Sequence, residues 1–585
     1  MALVGNMTIG GMTPFKGSIV NTSITIRVGN MPLSADSFFM APCCGMQAEP
    51  SGLSVHGGFF AASRTGGSGS GARSAQGPRR PTPPSGGGGS GGDPKLKGHF
   101  KTILERTSTP EKELDLLEDA ITGGEDGFRW MEMVRRAVAG DADFSELMAR
   151  PLARKLFDMT RSVLAPLPDN FTSEERTPWG GTLIPRMKKG LGKWGKDLVV
   201  GESWEISGHP KFPNRFALSY AGKRTTIEIR QLEAMFSNNL YGGFAPANEV
   251  RSMPFLVKLL NSGGWEEYKG ELAVILTELD EKKEAVGLRK QLGLHASLVE
   301  LVGRNNDEIH QGILNIENRA DGDYPEIAEL RALHRRMLTK NLSVQVHPDS
   351  DFKGLKPGEH SKTEAWIIIG AEDGAGIYLG LKEGVTKEQF AAALNSGDDV
   401  TRFHNFVPVY ADDVFFIPAG TIHAIGAGVI LVEPQETSET TYRVFDYGRL
   451  DDKGRPRQLH VDQAIAATIW DGPRGQDAIS KLRRMPETVP SSGENAQIVE
   501  RLFDEDFARS ERLTLTKDEV FSGEGGAFRG YMVIDGGVSV IKGKDNSIQG
   551  EFMRGQSFIV PAAMGDFIIK NSSNRAVLIE TSAVR

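Results

Sequence analysis

The stretch LSVQVHP at residues 342–348 decides how this chain folds. Polar and apolar residues alternate through it, so as a strand it sends Gln345 and His347 to one face and Val344 and Val346 to the other. HSKTEAW follows at 360–366, PAGTIHAIGAG at 418–428 and VEPQETSETTYRVFDYGR at 432–449. Glu364 and His423 lie in two of these further strand-like segments. With Gln345 and His347 they offer two imidazole nitrogens, a carboxylate and an amide oxygen. Such a mixed set suits a divalent transition metal, zinc first, and leaves positions open for a water or a substrate oxygen. A single buried His or Gln in a strand is usually a satisfied core group. Several of them in order, inside hydrophobic strands punctuated by Gly and Pro, read as an antiparallel barrel carrying a metal.

At these residues the chain resembles the type I mannose-6-phosphate isomerases, metal-dependent members of the cupin superfamily, and is most similar to their shorter bacterial branch. The resemblance covers about residues 176–262 and 338–585, and the phrases WGG, GESWEIS, LVKLL and TTYRVFDYGR stand in the family's order. It implies that Gln345, His347, Glu364 and His423 hold one Zn2+ per chain, with other divalent metals as alternatives. It also implies interconversion of mannose 6-phosphate and fructose 6-phosphate through a cis-enediol. Arg443 matches the family's essential arginine, and a planar guanidinium suits enediolate oxygens or phosphate. Glu433 and Lys362 stand two strand positions from Gln435 and Glu364, so regular strands project them toward the same interior. The resemblance makes them candidates for proton handling; Glu433, Lys362 and a metal-bound water stay open as the base. By the same resemblance Trp179 and Ser207 lie near the sugar-phosphate pocket, whereas Trp204 reads as core. Lys258, Lys362 and Arg443 are the candidates for phosphate. A lysine inside the apolar run 254–260 is costly unless its ammonium finds an anion.

In the resembled enzymes a comparable strand leads almost directly into QVHP. Here residues 263–338 intervene, with Leu272, Ile275, Leu276 and Leu279 at helical spacing and Leu294, Leu298 and Leu301 extending the stripe. This helical insertion is expected to bear on the walls and lid of the pocket. Upstream, residues 1–64 form a tail with few acids, a short alternation at Ile24, Ile26 and Val28, and the vicinal pair Cys43 and Cys44. Residues 65–93 are a Gly/Pro/Ser linker. Residues 94–170 read as a small helical accessory segment, with Thr109-Pro110-Glu111 opening a helix and further helices expected over 128–138 and 144–163. The catalytic cupin domain is expected over 171–470, where Thr386 and Gly397 bracket a short helix. Residues 471–585 return to short strands. GYMVIDGGVSVIKG and GQSFIVPAAMGDFII echo the first barrel, but no histidine follows His460 and Met564 stands near the place of His423. A degenerate second cupin that binds no metal is expected.

The fold class is therefore mainly β, a double cupin (antiparallel barrel or jelly roll) with a helical insertion and a helical N-terminal extension. The 585 residues allow more than one core, and the net charge of -8 is mild and interspersed, giving no basic field for nucleic acid. No apolar run reaches the length of a membrane span, so no membrane partner is expected. Two cysteines exclude a disulfide scaffold and point to a reducing, cytoplasmic compartment, with an organellar leader in the N-terminal tail as the alternative. The partner expected is a sugar phosphate, and the N-terminal helices could serve self-association or a protein partner. His360, His404 and His460 read as surface or structural residues. Two other functions compete: a cupin isomerase for another sugar, and a non-catalytic metal-dependent sugar-binding protein. Arg443 and Glu433 argue against the second, since binding alone needs neither.

Overall fold

The computed structural model describes residues 94–583 apart from 196, 244–252, 283–296, 321–323, 452, 490–497 and 544–545. The tail alternation at Ile24, Ile26 and Val28, the cysteine pair and the whole linker lie outside the described residues.

Two antiparallel sheets are built from strands between residues 202 and 484. One has six strands in the order Glu202–Ile206, Leu256–Asn261, Val429–Gln435, Glu364–Ala371, Val414–Ile417 and Arg483–Arg484. The other has five, ordered Tyr442–Phe445, Val344–Val346, His423–Ile425, Gly376–Leu381 and His404–Pro408. They pack face to face through one apolar cluster, with Trp366, Ile368, Phe415 and Leu431 from the first meeting Ile377, Leu379, Val407 and Ile425 from the second. Such face-to-face packing hides one side of every strand, which is why the alternating segments read so clearly as strands. The helix Lys387–Ser396 starts at a Thr386–Gln389 capping box and stops at Gly397, whose φ of 75° only glycine takes cheaply.

A second pair of sheets, of six and four strands, follows over 487–582 around Leu513, Tyr531, Val540, Phe558, Ile569 and Leu578. Met564 is buried on the short turn Ala562–Met564 and packs in this core, so a thioether fills space at the point where a ligand was sought.

The N-terminal helices Pro94–Arg106, Pro110–Ile121, Glu125–Val138 and Pro151–Met159 do not stand apart. Leu114, Leu117, Trp130, Phe144 and Leu156 share one apolar core with Ile206, Met532 and Ile559 of the large sheets, Phe216 of the hairpin Arg215–Tyr220/Lys223–Glu228 and Phe236 of the helix Ile229–Tyr241. Leu164 and Ile559 exchange both backbone hydrogen bonds at 2.9 Å. The helix expected over 144–163 is broken at Pro151. Proline lacks an N–H and bars the residue before it from helical geometry, so Arg150 is extended (φ −75°, ψ 135°) and a 3-10 turn, Ala142–Ala149, precedes the helix.

The insertion contributes helices Lys269–Lys282, Asn306–Arg319 and Pro325–Leu338, whose Leu272, Ile275, Leu276, Leu279, Ile313 and Leu330 form a core of their own. Leu298 and Leu301 sit in a 3-10 turn, not on a continuing helix, and Leu294 is outside the described residues. The insertion leaves and returns at one place: the Ser262 hydroxyl donates to the Lys340 carbonyl at 2.7 Å. It docks on the barrel through Asn306 Nδ2 to Ala427 O at 3.1 Å and His310 Nε2 to Asp399 at 2.9 Å.

Candidate metal centre

Strand register assembles the site. Val344 and Val346 point into an apolar cluster with Tyr378 and Phe390, which leaves Gln345 and His347 on the other face. Gln345 pairs with His423 on one neighbouring strand and with Arg443 on the other. In the opposite sheet Gln435 pairs with Glu364, and Glu433 with Lys258. Residues scattered over the chain therefore face one another across two sheets.

His347, Glu364 and His423 each offer a ligand atom, all within 4.8 Å of one another, and all three are buried. His347 Nε2 lies 3.5 Å and His423 Nε2 3.2 Å from the Glu364 carboxylate, and the Gln345 amide stands 3.4 Å from His423 Nε2. Donors about 2.1 Å from a tetrahedral cation stand about 3.4 Å apart, so these spacings fit an ion at the centre. Turning the Gln345 amide presents its oxygen as the fourth donor. His347 Nδ1–H donates to the Thr440 carbonyl at 2.8 Å and His423 Nδ1–H to the Thr421 carbonyl at 2.9 Å, so both Nε2 atoms carry the lone pair and turn it to the site, where the Lys362 ammonium stands 3.3 Å from His347 Nε2. Burial pushes both imidazoles down, His423 to about 3, so both are neutral and ready to bind a metal. Burial works to raise Glu364, but Lys362 and the two histidines outweigh it and hold the carboxyl well below its usual range. Neither Glu364 oxygen takes a hydrogen bond among the described residues, although the Lys362 ammonium lies 2.6 Å from Oε2. The donor set fits a divalent metal ion.

A cavity of about 390 Å³ opens beside these donors, lined by Gln345, Lys362, Glu433, Lys258, Trp179 and Arg443 among others. Lys258 finds its anion: its ammonium lies 2.9 Å from Glu433 and 5.0 Å over the Trp204 ring. Lys362 lies 3.3 Å from the same Glu433 oxygen; burial opposes its charge, yet Glu364 and Glu433 raise its pKa above the ordinary lysine value. Arg443 Nε donates to Ser343 Oγ at 3.3 Å and Nη1 to the Gln458 carbonyl at 3.1 Å. Burial and Arg457 lower it to about 10, so it stays cationic near neutrality.

Ser207 does not line the cavity; its N–H donates to Asn214 and its Oγ accepts from the His209 N–H. Trp204, read as core, is buried but does line it. His460, read as structural, lines it too and accepts the Arg443 N–H at 3.3 Å. Arg176, Glu439 and Arg457 also line the wall; all three come from irregular segments, where no periodicity marks them. None of the described residues of the insertion lines the cavity.

His404 is structural. Fully buried, it shares its Nδ1 proton with the Val400 carbonyl at 2.9 Å and packs against Phe390. Burial lowers its pKa from 6.5 to about 4. The unfolded chain thus binds the extra proton first, and the stability that neutral His404 contributes is complete above pH 6.5 and lost as pH falls toward 4. The loss should reach about 3 kcal/mol. Thermal unfolding across that range should show a shallower decline for His404→Phe than for the parent, and parallel profiles would refute the assignment.

No family model matches the chain. It is 33% identical over 262 residues to the protein of Bacillus subtilis strain 168 named probable mannose-6-phosphate isomerase GmuF, a match covering 43% of this chain and 77% of that relative. The chain belongs to the mannose-6-phosphate isomerase family. The mannose-6-phosphate isomerase of Streptococcus mutans serotype c is 46% identical over 149 residues, which is 25% of this chain and 46% of that relative, so here the chain spans about half the relative's length. Among solved structures, the mannose 6-phosphate isomerase from Bacillus subtilis has a TM-score of 0.48 at 22% identity, over 72% of this chain and 98% of that one.

Proposed function

We propose that the chain interconverts mannose 6-phosphate and fructose 6-phosphate through a cis-enediol, with zinc held by Gln345, His347, Glu364 and His423. The convergence of those donors beside a cavity lined by acid, lysine and arginine carries this reading. Two imidazoles with two oxygen donors favour zinc, and a site of this kind supplies a Lewis acid that polarises neighbouring sugar oxygens. Glu433 lines the cavity between Lys258 and Lys362, and it takes the proton that moves between C2 and C1. Lys258 and Lys362 hold that carboxylate in place from two sides. Lys362, kept protonated, donates to a sugar oxygen as its charge grows. Arg443 lies over the negative charge of the enediolate. Trp179 and Trp204 form the apolar side of the wall and exclude water from the sugar face. Two adjacent cysteines in the whole chain support work in a reducing cytoplasm; among the described residues no helix is long and apolar enough to cross a membrane.

The test is an isomerase assay on chelator-stripped full-length protein, with zinc, manganese and cobalt restored separately. Stripped protein should be inert on mannose 6-phosphate and regain its rate at one metal per chain, zinc included. Full activity after stripping, or none on this substrate after restoration, would overturn the reading.

A further inference from the structure

Beside the cavity three donors, of which Arg176 lines it and His209 and Lys211 stand behind its wall, converge on a side chain that the chemistry above leaves unused. Glu439 lies in the irregular segment between the strands Val429–Gln435 and Tyr442–Phe445 and lines the cavity. Arg176 Nη2 stands 3.2 Å from its Oε2, the Lys211 ammonium pairs with its Oε1, and His209 Nε2 lies 4.0 Å from Oε2. The Lys211 backbone N–H donates to His209 Nδ1 at 3.2 Å, so the neutral ring carries its proton on Nε2, toward Glu439. Burial lowers His209 to about 4, which keeps the ring neutral at pH 7.

His209 is buried and Arg176 rests on an aromatic ring, while the Lys211 side chain is 58% exposed. His209 stacks 5.2 Å from Trp204 and 5.8 Å from Phe212, and the Arg176 guanidinium lies 4.9 Å over Phe212. The Glu439 side chain is 34% exposed on its loop. One carboxylate charge thus faces two cations and an N–H, which leaves the group short of negative charge. A phosphate monoester brings a charge of about −1.5 to −2 and three acceptor oxygens. The lysines deeper in the cavity are already matched, Lys258 by Glu433 and Lys362 by Glu433 and Glu364.

We propose that Arg176, Lys211 and His209 Nε2 seat the phosphate of the substrate, and that Glu439 occupies this seat until the phosphate displaces it. The inference rests on the sugar-phosphate reading of the cavity. Exposed carboxylate pairs are weak, so releasing Glu439 costs little, while phosphate gains charge-assisted bonds from the fork of Arg176. A free hexose has nothing with which to displace Glu439, so the seat selects phosphorylated sugars through KM.

The experiment uses full-length, metal-loaded protein and measures the Kd of inorganic phosphate by calorimetry beside kcat and KM for mannose 6-phosphate. The Arg176→Gln/Lys211→Gln double variant should raise both Kd and KM about tenfold or more. Glu439→Gln, which empties the seat of its competing charge, should lower both by about threefold. Unchanged Kd and KM in the double variant would overturn the seat, and so would a higher KM or a collapsed kcat in Glu439→Gln, which would put Glu439 in the chemistry. Failure of the two readings separates cleanly. Wild-type turnover with unaltered KM in the double variant defeats the seat alone. Phosphate binding that depends on Arg176 and Lys211, in a protein inert on mannose 6-phosphate, defeats the isomerase reading and leaves the seat.

Discussion

Replacing His423 by alanine should yield a folded chain that holds no metal and isomerises at least about a thousandfold more slowly. His423 is fully buried, and its Nε2 is the one atom near both the Glu364 carboxylate, at 3.2 Å, and the Gln345 amide, at 3.4 Å. Its removal leaves three donors, of which one is a weakly binding amide. The fold should survive, because the strand Gly376–Leu381 and the strand Val344–Val346 flank residue 423 through backbone bonds that do not need the ring. The loss of a buried ring leaves a space next to Trp366, whose ring is 5.3 Å away, and costs about 2–5 kcal/mol at most. Metal content by elemental analysis and kcat by a coupled assay decide the matter. A variant that keeps one metal per chain, or that loses the metal but keeps its rate, removes His423 from the centre.

Arg443→Lys should lower kcat by about a hundredfold or more while metal content stays at the parental level. The guanidinium reaches Ser343 with Nε and the Gln458 carbonyl with Nη1, and Nη2 takes part in neither bond. This leaves one end of the fork for the substrate in a wall that also carries Arg457 and His460. A lysine keeps the charge but has a single ammonium, which cannot hold both anchors and still present a donor to a developing enediolate. The expected signature is a fall in kcat exceeding any rise in KM, since the interaction strengthens as charge builds. Parental kcat in Arg443→Lys, with Arg443→Ala also active, would show that the residue only braces the loop.

The strand faces of Gln345 and His347 were legible in the sequence, because alternation is a local signal. Val344, Gln345, Val346 and His347 state by themselves which side chains face the core. The short helix between Thr386 and Gly397 was legible for the same reason, since both of its stops are carried by neighbouring residues. Pro151 shows the limit of periodicity: the apolar spacing across 144–163 persists, but the missing N–H divides it into two elements. Other features depend on contacts between distant segments. Trp204 is both buried and part of the cavity wall, and hydrophobicity alone registers only the first. Arg176, His209 and Lys211 meet Glu439 from more than two hundred residues away, as the separations of 263 and 228 show for Arg176 and Lys211. No spacing rule reaches across such a span. The docking of the insertion was not legible either: only the fold shows its described helices packing against Ala427 and Asp399.

The contact between Ser262 and Lys340 has a consequence for how such a chain could change length. Since departure and return are side by side, the helical block is a cassette whose excision leaves a gap that a tight reverse turn can bridge. Closing so small a loop adds little entropy. Growth, exchange or loss of material at this seam leaves the strand order of the sheets as it is, at the cost of the contacts that Asn306 and His310 make with Ala427 and Asp399.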